Sequence, residues 1–141
     1  MIKHFSAGGI LLNSKNQIFL IHKISRNEWS FPKGTIEENE EILEAAIREI
    51  GEETGYFRLK VRDSTPFDTI RYTIKNPETS EEIDKTVYFF IFDITSDEKY
   101  KTKEMLKEGL EGQWFELKIA LEKLTFPDMK NVLSNYINSI K

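Results

Sequence analysis

The sequence contains no cysteine. Disulfide bonds, thiol nucleophiles and thiolate metal sites are therefore excluded, and any metal ligand must be an oxygen or a histidine nitrogen. A chain without cysteine suits the reducing cytoplasm, where we expect this protein to act. Long apolar runs are also missing: the longest, residues 87–92, is far below the roughly 18 residues of a membrane helix. We therefore expect no membrane partner.

The chain also has fewer basic than acidic residues: 24 Asp and Glu residues against 20 Lys and Arg residues give a net charge of −4. Nonspecific nucleic-acid binders usually carry a basic surface, so this balance argues against that class. The length of 141 residues is typical of one globular domain, and we expect residues 1–141 to form a single domain. The opening residues, MIKHFSAGGILL, lack the regions of a secretory signal, so we expect the mature protein to begin at Met1.

Strand patterns are present along much of the chain. Runs of β-branched and aromatic residues predict strands at residues 3–12, 16–24, 58–74, 85–94 and 112–117. The first two are expected to form a hairpin, and the next two are expected to pair through a turn that contains Pro77. The segment RNEWSFPKGT, residues 26–35, predicts a polar loop.

Helix patterns alternate with these strands. The apolar spacing predicts a helix over residues 39–54, with Asn39 as its N-cap and Gly55 just beyond its end. A short helical turn is predicted at residues 116–124, and a last helix begins near Pro127, where a missing N–H matters least. Together the elements predict a mixed α+β domain with helices packed on a mostly antiparallel or mixed sheet.

The first of these helices carries a concentration of acid. Eight of the 24 acidic residues lie between residues 34 and 56, and Glu49, Glu52 and Glu53 fall on one side of the helix, away from its apolar stripe. Mutual repulsion costs a few tenths of a kcal/mol for each pair, and Gly51 adds roughly 1 kcal/mol relative to alanine. A hard divalent cation would reverse the electrostatic sign, since Mg²⁺ and Mn²⁺ prefer carboxylate oxygens and leave room for substrate phosphates.

A solvated acidic face is the alternative explanation of this helix, with Glu44 and Arg48 forming an i, i+4 pair. The wider spacing favours the metal. Gly34 is followed after five residues by Glu40, and after seven more by the run REIGEETGY at residues 48–56. This pattern resembles, without a departure, the signature of the Nudix hydrolases, G-x5-E-x7-R-E-U-x-E-E-x-G-U, in which U is a bulky apolar residue.

The resemblance implies an αβα sandwich with a mixed central sheet, in which the signature at residues 34–56 forms a loop, a helix and a second loop. It also implies hydrolysis of a nucleoside diphosphate linked to another moiety, with Mg²⁺ or Mn²⁺ as cofactor and a water attacking phosphorus. Glu49, Glu52 and Glu53 would be metal ligands, with the carbonyl of Gly34 as a further one. One of the acids would activate the water, and Glu52 and Glu53 are the catalytic candidates.

Further roles follow from the same resemblance. Arg48 would orient a carboxylate, and Glu40 would pair with it. Lys33, next to the first glycine of the signature, could contact a phosphate as a point charge. A glutamate six residues before a tryptophan is similar to a Nudix segment that returns a loop acid to the metals, which makes Glu108 the candidate. Glu111 is a rival, and a plain solvated loop is an equal alternative for either.

Substrate choice depends on residues outside the signature. The entry WSFPKG at residues 29–34, Tyr72 sixteen residues past the signature, and the run KTVYFF that begins at Lys85 resemble the diadenosine polyphosphate hydrolase branch. The resemblance implies that Tyr72 stacks on an adenine, and Phe126 could form the other side of an aromatic clamp. Stacking on a base contributes about 1–3 kcal/mol with little regard to base identity. The implied partner is a small nucleotide such as diadenosine tetraphosphate.

Several rival functions stay open. Nucleoside triphosphate pyrophosphatase, RNA 5′ pyrophosphohydrolase and diphosphoinositol phosphate hydrolase are the enzymatic rivals, and an RNA 5′ end is the only nucleic acid expected as a partner. ADP-ribose hydrolysis is less favoured because the branch's proline, about fifteen residues past the signature, is replaced here by Pro66 at ten. A non-catalytic nucleotide sensor and a metal-stabilised structural helix are the other classes. His4 and His22 are expected to have no catalytic role, and Trp29 and Trp114 are expected to be core or loop anchors.

Overall fold

Eight strands form one sheet and four α-helices pack on its two faces, in a computed structural model that describes all residues from Met1 to Lys141. The strands are β1 (Ile2–Leu12), β2 (Ile18–Lys23), β3 (Glu28–Ser30), β4 (Lys33–Thr35), β5 (Leu59–Val61), β6 (Asp68–Lys75), β7 (Glu82–Ile94) and β8 (Leu110–Phe115). The helices are α1 (Ile42–Thr54), α2 (Lys103–Glu108), α3 (Leu117–Lys123) and α4 (Pro127–Ser139), and a 3₁₀ turn covers Ile24–Arg26. None of the helices has the length and apolar character needed to cross a bilayer.

The centre of the sheet is the parallel pair β1 and β7, which runs in register from Ile2 opposite Ile83 to Leu12 opposite Asp93. All other pairs of strands are antiparallel. One apolar cluster lies between the sheet and α3 and α4, and a second lies between the sheet and α1. The expected αβα sandwich with a mixed sheet is therefore confirmed.

The predicted hairpin of β1 and β2 is wrong in its extent. The two strands pair only where Leu12 lies opposite Ile18, next to the turn. Beyond that point β1 pairs with β4 and β7, whereas β2 pairs with β3 and β8. Gly8 is part of the reason, because a side chain there would overlap the carbonyl oxygen of Pro32 at the entry to β4.

The predicted polar loop at residues 26–35 is also wrong, since it contains two short strands. Trp29 in β3 lies opposite His22, and Lys33 in β4 lies opposite Gly8. The strands 58–74 and 85–94 do pair as expected, from Asp68 opposite Phe89 onward, although the first of them divides into β5 and β6. The missed strands depend on partners that no local pattern reveals.

The predicted helix limits are confirmed at the C-terminus of α1 and corrected at its N-terminus. Gly55 adopts a left-handed conformation with φ of 83° and ends the helix. Asn39 is not the N-cap: it lies in a left-handed turn with φ of 68°, and the helix begins after Glu41. The Glu44 carboxylate accepts a hydrogen bond from the Glu41 N–H at 3.0 Å. Helix α2 was not predicted, whereas α3 and α4 lie where the sequence placed them.

Gly55 gives a stability prediction with a matched control. A methyl group on Gly55 would overlap the carbonyl oxygen of Tyr100, whereas one on Gly109, which is also left-handed, would have nothing within 4 Å. We expect Gly55→Ala to lower the free energy of unfolding by about 2–4 kcal/mol, from the left-handed backbone and the overlap together. Gly109→Ala should cost about 1 kcal/mol. Chemical denaturation measures both values, and equal losses would contradict the role given to Tyr100.

Candidate active site

The site begins where α1 packs against β4. The carboxylate of Glu49 lies directly against the Cα of Gly34, so that a side chain at Gly34 would overlap it. The pairing of β4 with β1, with Gly34 opposite Ala7, fixes this part of the backbone in the sheet. A side chain at position 34 would therefore displace the Glu49 carboxylate from its present place against β4.

Arg48 organises the acids around it. Its guanidinium holds Glu40 with two hydrogen bonds, from Nε at 2.6 Å and from Nη2 at 2.9 Å. Nη1 donates to Glu49 at 2.9 Å and to Glu52 at 3.2 Å, and Nη2 also donates to the carbonyl of Thr35 at 2.9 Å. One arginine thus orients three carboxylates and ties the helix to the end of β4.

The hydrogen bonds from Arg48 lower the pKa of Glu40 to about 2. The alternative pair of Arg48 with Glu44 is not present, because the Glu44 carboxylate turns to the backbone at the start of the helix. The acids of α1 are therefore not an ordinary solvated face.

Glu53 lies deeper than its neighbours and faces the other side of β4. Its carboxylate accepts a hydrogen bond from the backbone N–H of Lys33 at 2.9 Å. Burial is the main cause that raises the pKa of Glu53 to about 8, with the charges of Glu49 and Glu108 acting in the same direction and the hydrogen bond from Lys33 acting against them. Burial also raises the pKa of Glu49, which Arg48 partly offsets. The site as a whole is short of positive charge.

These residues fit a hard divalent cation. No group of three or more acidic or histidine side chains is assembled around a single point, because Glu49 and Glu52 both turn towards Arg48. The donors available are nevertheless carboxylate oxygens, which Mg²⁺ and Mn²⁺ prefer. The charge of Glu108 raises the pKa of both Glu49 and Glu53, and a cation beside these acids would offset that repulsion.

The two candidate acids that precede Trp114, Glu108 and Glu111, lie in different places in the structure. Glu108 is the last residue of α2 and lines one cavity with Glu53 and Lys33. Glu111 lies on β8 opposite His22 and lines a different cavity. Only Glu108 is brought to the acids of α1, and it lies on a helix instead of the expected loop.

A two-part cleft adjoins the acids. The first cavity, of about 210 Å³, contains Glu53 and Glu108 and extends to Lys23 and Arg26. The second cavity, of about 430 Å³, is lined by residues that include Tyr72. The two parts share three residues, which are Lys33, Phe126 and Met129.

Lys33 stands at the junction of the two cavities. Burial lowers the pKa of Lys33, and the charge of Lys85 lowers it further while Glu53 acts in the opposite direction. Lys85 lies on β7 directly opposite Tyr72 on β6. Lys33, Tyr72 and Phe126, which are predicted to contact substrate, therefore line one cleft, and Lys85 lies beside it.

Four charged residues of this cleft were missed by the sequence analysis, and one of them is Glu28 on β3, opposite Lys23. Lys23 and Arg26 belong to the end of β2 and the 3₁₀ turn, and Asp128 follows the start of α4. None belongs to a motif, and each reaches the cleft only through the packing of distant segments. The only sequence signal for Asp128 is its closeness to Phe126.

The histidines and tryptophans do not line the cleft. His4 is exposed, and His22 stacks on Trp29 with ring centroids 4.4 Å apart and bonds to the side chain of Asn27. The Trp114 indole N–H donates to the Tyr56 hydroxyl at 3.1 Å. Both tryptophans pack against aromatic neighbours, in accordance with their expected role as anchors.

Comparison with known proteins supports the reading of the signature. The sequence matches the family model described as NUDIX domain over residues 2–136, which is nearly the whole chain. The protein belongs to the Nudix family. A curated relative from Francisella tularensis subsp. mediasiatica, named RNA pyrophosphohydrolase, is 30% identical over 110 residues, which are 78% of this chain and 58% of that protein. This Nudix chain thus spans little more than half the length of that relative.

Solved structures share the Nudix fold at low identity. A Caenorhabditis elegans Ap4A hydrolase in a binary complex superposes with a TM-score of 0.76 at 19% identity, covering 99% of this chain and 98% of that one. An Escherichia coli dihydroneopterin triphosphate pyrophosphohydrolase gives a TM-score of 0.73 at 15% identity, covering 99% of both chains. At these identities the likeness establishes the fold alone.

The Arg48 network gives a pH-dependent prediction. Because the pKa of Glu40 is lowered from its ordinary value of 4.5 to about 2, its charged form adds stability that is complete above about pH 4.5 and is lost towards about pH 2. We expect Glu40→Gln to lower the free energy of unfolding by about 1–2 kcal/mol at pH 7. The difference from wild type should shrink on acidification through that range.

The matched control is Glu37→Gln, because Glu37 lies 3.6 Å from the same guanidinium but is 66% exposed. It should change stability by less than about 0.5 kcal/mol. Urea denaturation between pH 7 and pH 2.5 measures both variants. A loss for Glu40→Gln that stayed constant across this range would contradict the assignment.

Proposed function

We propose that this Nudix protein is a metal-dependent pyrophosphohydrolase that cleaves a nucleoside diphosphate linked to another moiety, with diadenosine tetraphosphate as the first substrate to test. The observation that supports the proposal is that Glu53 and Glu108 line one cavity together with the buried lysine Lys33. Unbalanced carboxylates suit divalent ions, and a lysine next to them suits a phosphate. We further propose that residues 1–141 act as one domain.

Hydrolysis of a pyrophosphate bond requires few groups beyond these carboxylates and this lysine. A pyrophosphate resists attack because its negative charge repels nucleophiles. Divalent metal supplies the neutralising charge and lowers the pKa of water when it is bound. We propose Glu49, Glu52, Glu53 and Glu108 as its ligands, together with the carbonyl of Gly34. Arg48 and Glu40 act by positioning: the guanidinium holds Glu49 and Glu52 in place, and Glu40 holds the guanidinium.

The protein's own side chains would place the substrate. Lys33 is positioned between the acids and the aromatic cavity, so its ammonium can contact a phosphate while the base enters beside Tyr72 and Phe126. Lys85, opposite Tyr72, adds a second positive charge. The backbone N–H of Lys33 fixes the Glu53 carboxylate at 2.9 Å, which leaves that group oriented to accept a proton from an attacking water.

The cleft favours a substrate with more than one nucleoside or a long phosphate chain. Its first cavity extends past the acids to Lys23 and Arg26, and neither cation forms a salt bridge within the protein. A phosphate chain that begins at Lys33 would meet them on the far side of the acids. This feature supports a dinucleoside polyphosphate, and it also accommodates the second candidate, a 5′-triphosphate RNA end.

The second candidate rests on the name of the Francisella relative and on the same pair of cations. A nucleoside triphosphate has the same phosphate chain as a 5′-triphosphate RNA end, and neither has a second nucleoside beyond that chain. A non-catalytic nucleotide sensor would occupy the same pocket without turnover. A substrate panel with Mg²⁺ and Mn²⁺ distinguishes these possibilities, and it should include diadenosine polyphosphates, nucleoside triphosphates, ADP-ribose and 5′-triphosphate RNA.

Removal of a carboxylate from the site tests the catalytic assignment. We expect Glu52→Gln and Glu53→Gln each to lower kcat/KM for the best substrate by about 100-fold or more, because each change weakens the hold on the metal. Glu111→Gln is the control, since Glu111 lies on the same stretch as Glu108 but faces a different cavity. Glutamine variants as fast as wild type would remove the proposed role.

Tyr72 provides the test of base binding. We expect Tyr72→Ala to raise KM for the nucleotide by about 5- to 150-fold, because stacking on the base is lost. Tyr72→Phe keeps the ring and should leave KM within about threefold of wild type. Steady-state kinetics on both variants measure the contrast. A similar KM for the alanine and phenylalanine variants would show that the base lies elsewhere.

A further inference from the structure

Asp128 is the only carboxylate in the wall of the 430 Å³ cavity. The rest of that wall is aromatic or aliphatic apart from Lys33 at its inner end. The volume is within the range of pockets that enclose a small ligand. A single acid among apolar groups is the arrangement that fixes the orientation of a ligand and selects between similar ones.

The carboxylate is not used by the protein itself. Asp128 forms no salt bridge. The charged neighbours that shift the pKa of Lys33 are Glu53, Lys85 and Glu49, and Asp128 is not among them. The pKa of Tyr72 is raised by burial and then by the charge of Asp128, so the carboxylate lies close to the phenol that we propose to stack on the base.

Helix stabilisation accounts for an acid at this point of α4 but not for its surroundings. An acidic residue in the first turn of a helix gains about 0.3–1 kcal/mol from the helix dipole. That gain is available at any position of the turn, whether or not the side chain faces a cavity. The N-terminus of α4 has no side-chain cap, so the Asp128 oxygens are left free to accept hydrogen bonds from a ligand.

A carboxylate distinguishes the bases by the hydrogen-bond donors that each base presents. An ionised carboxylate has two acceptor oxygens and no donor. Guanine presents two neighbouring donors, N1–H and N2–H₂, which match both oxygens. Hypoxanthine presents N1–H beside the O6 acceptor, and adenine presents its amino group beside an acceptor nitrogen. With hypoxanthine the second oxygen faces the C2–H that replaces the amino group, and with adenine it faces a lone pair, so one hydrogen bond is lost in either case.

We propose that Asp128 is a specificity-determining residue that accepts two hydrogen bonds from a guanine base held between Tyr72 and Phe126. The inference rests on the proposed function, which brings a nucleotide polyphosphate into the cleft. It refines that function, because aromatic stacking alone does not distinguish the bases. Guanine nucleotides should be preferred over the adenine nucleotides that the resemblance suggested.

Binding of nucleoside 5′-monophosphates tests the inference directly. GMP and IMP differ by one amino group and stack similarly, so the ratio of their Kd values isolates the second hydrogen bond. We expect wild type to bind GMP about tenfold more tightly than IMP or AMP in calorimetry without metal. Asp128→Ala should bring the GMP and IMP values to within about threefold, through weaker binding of GMP.

Asp97→Ala is the matched control, because Asp97 is an exposed aspartate outside the cavity, and it should keep the wild-type ratio. Thermal unfolding checks that each variant is folded. Should Asp128→Ala fail to fold, Asp128→Asn decides, because it keeps the side-chain shape but turns an N–H donor towards a guanine donor. It should also lose the preference for GMP.

Two results would overturn the inference: wild-type Kd values for GMP and IMP within twofold, or a variant at position 128 that keeps the tenfold ratio. The same experiments distinguish a failure of this inference from a failure of the proposed function. If no substrate of the panel is hydrolysed while the GMP preference is present, the catalytic proposal is wrong and the base assignment stands. If diguanosine and diadenosine tetraphosphate are hydrolysed with equal kcat/KM and GMP shows no preference, the base assignment is wrong and the catalytic proposal stands.

Discussion

The hydrogen bonds of Arg48 are the interaction on which the candidate site depends. Three carboxylates within reach of one another would repel, and one guanidinium that donates to all three, and to the carbonyl of Thr35, makes the arrangement stable. The same contacts join α1 to the end of β4. Glu53 and Glu108 lie beyond the direct hydrogen bonds of Arg48 and have Lys33 as a cation in their shared cavity. Arg48 therefore fixes the position of some of the acids but not of all of them.

The cleft places a candidate phosphate site next to a candidate base site, so that one nucleotide could occupy both. Lys33 stands between the acids on one side and the aromatic cavity on the other, so phosphate and base can be bound at once. Under the proposed function the signature would supply the part that acts on phosphate, and residues outside it would line the part that receives the base. Proteins with the same fold can differ in substrate for this reason, since the fold positions a site without determining which ligand fills its outer part.

Much of the fold could be predicted from local patterns. The C-terminal limit of α1 at Gly55, the helix that begins at Pro127, and the pairing of β6 with β7 all follow from spacing or turn residues within one short segment. Two of the errors have a common physical cause. The pattern of residues 26–35 predicts a loop, and that of β1 and β2 predicts a full hairpin, yet both are decided by strands distant along the chain. The N-cap error at Asn39 is local, because Glu41 and Glu44 form the cap two residues further on.

The sequence by itself determined the chemistry of the site, because the signature from Gly34 to Tyr56 fixes carboxylates at i, i+3 and i+4 spacing on a helix, and helix geometry then sets their separation. Only the tertiary structure decided which other side chains join them. It selected Glu108 over Glu111 and brought Lys23, Arg26 and Asp128 to the cleft. The pairing of strands and the packing of α4 against the sheet bring together residues that lie about a hundred positions apart, and no local periodicity records such contacts.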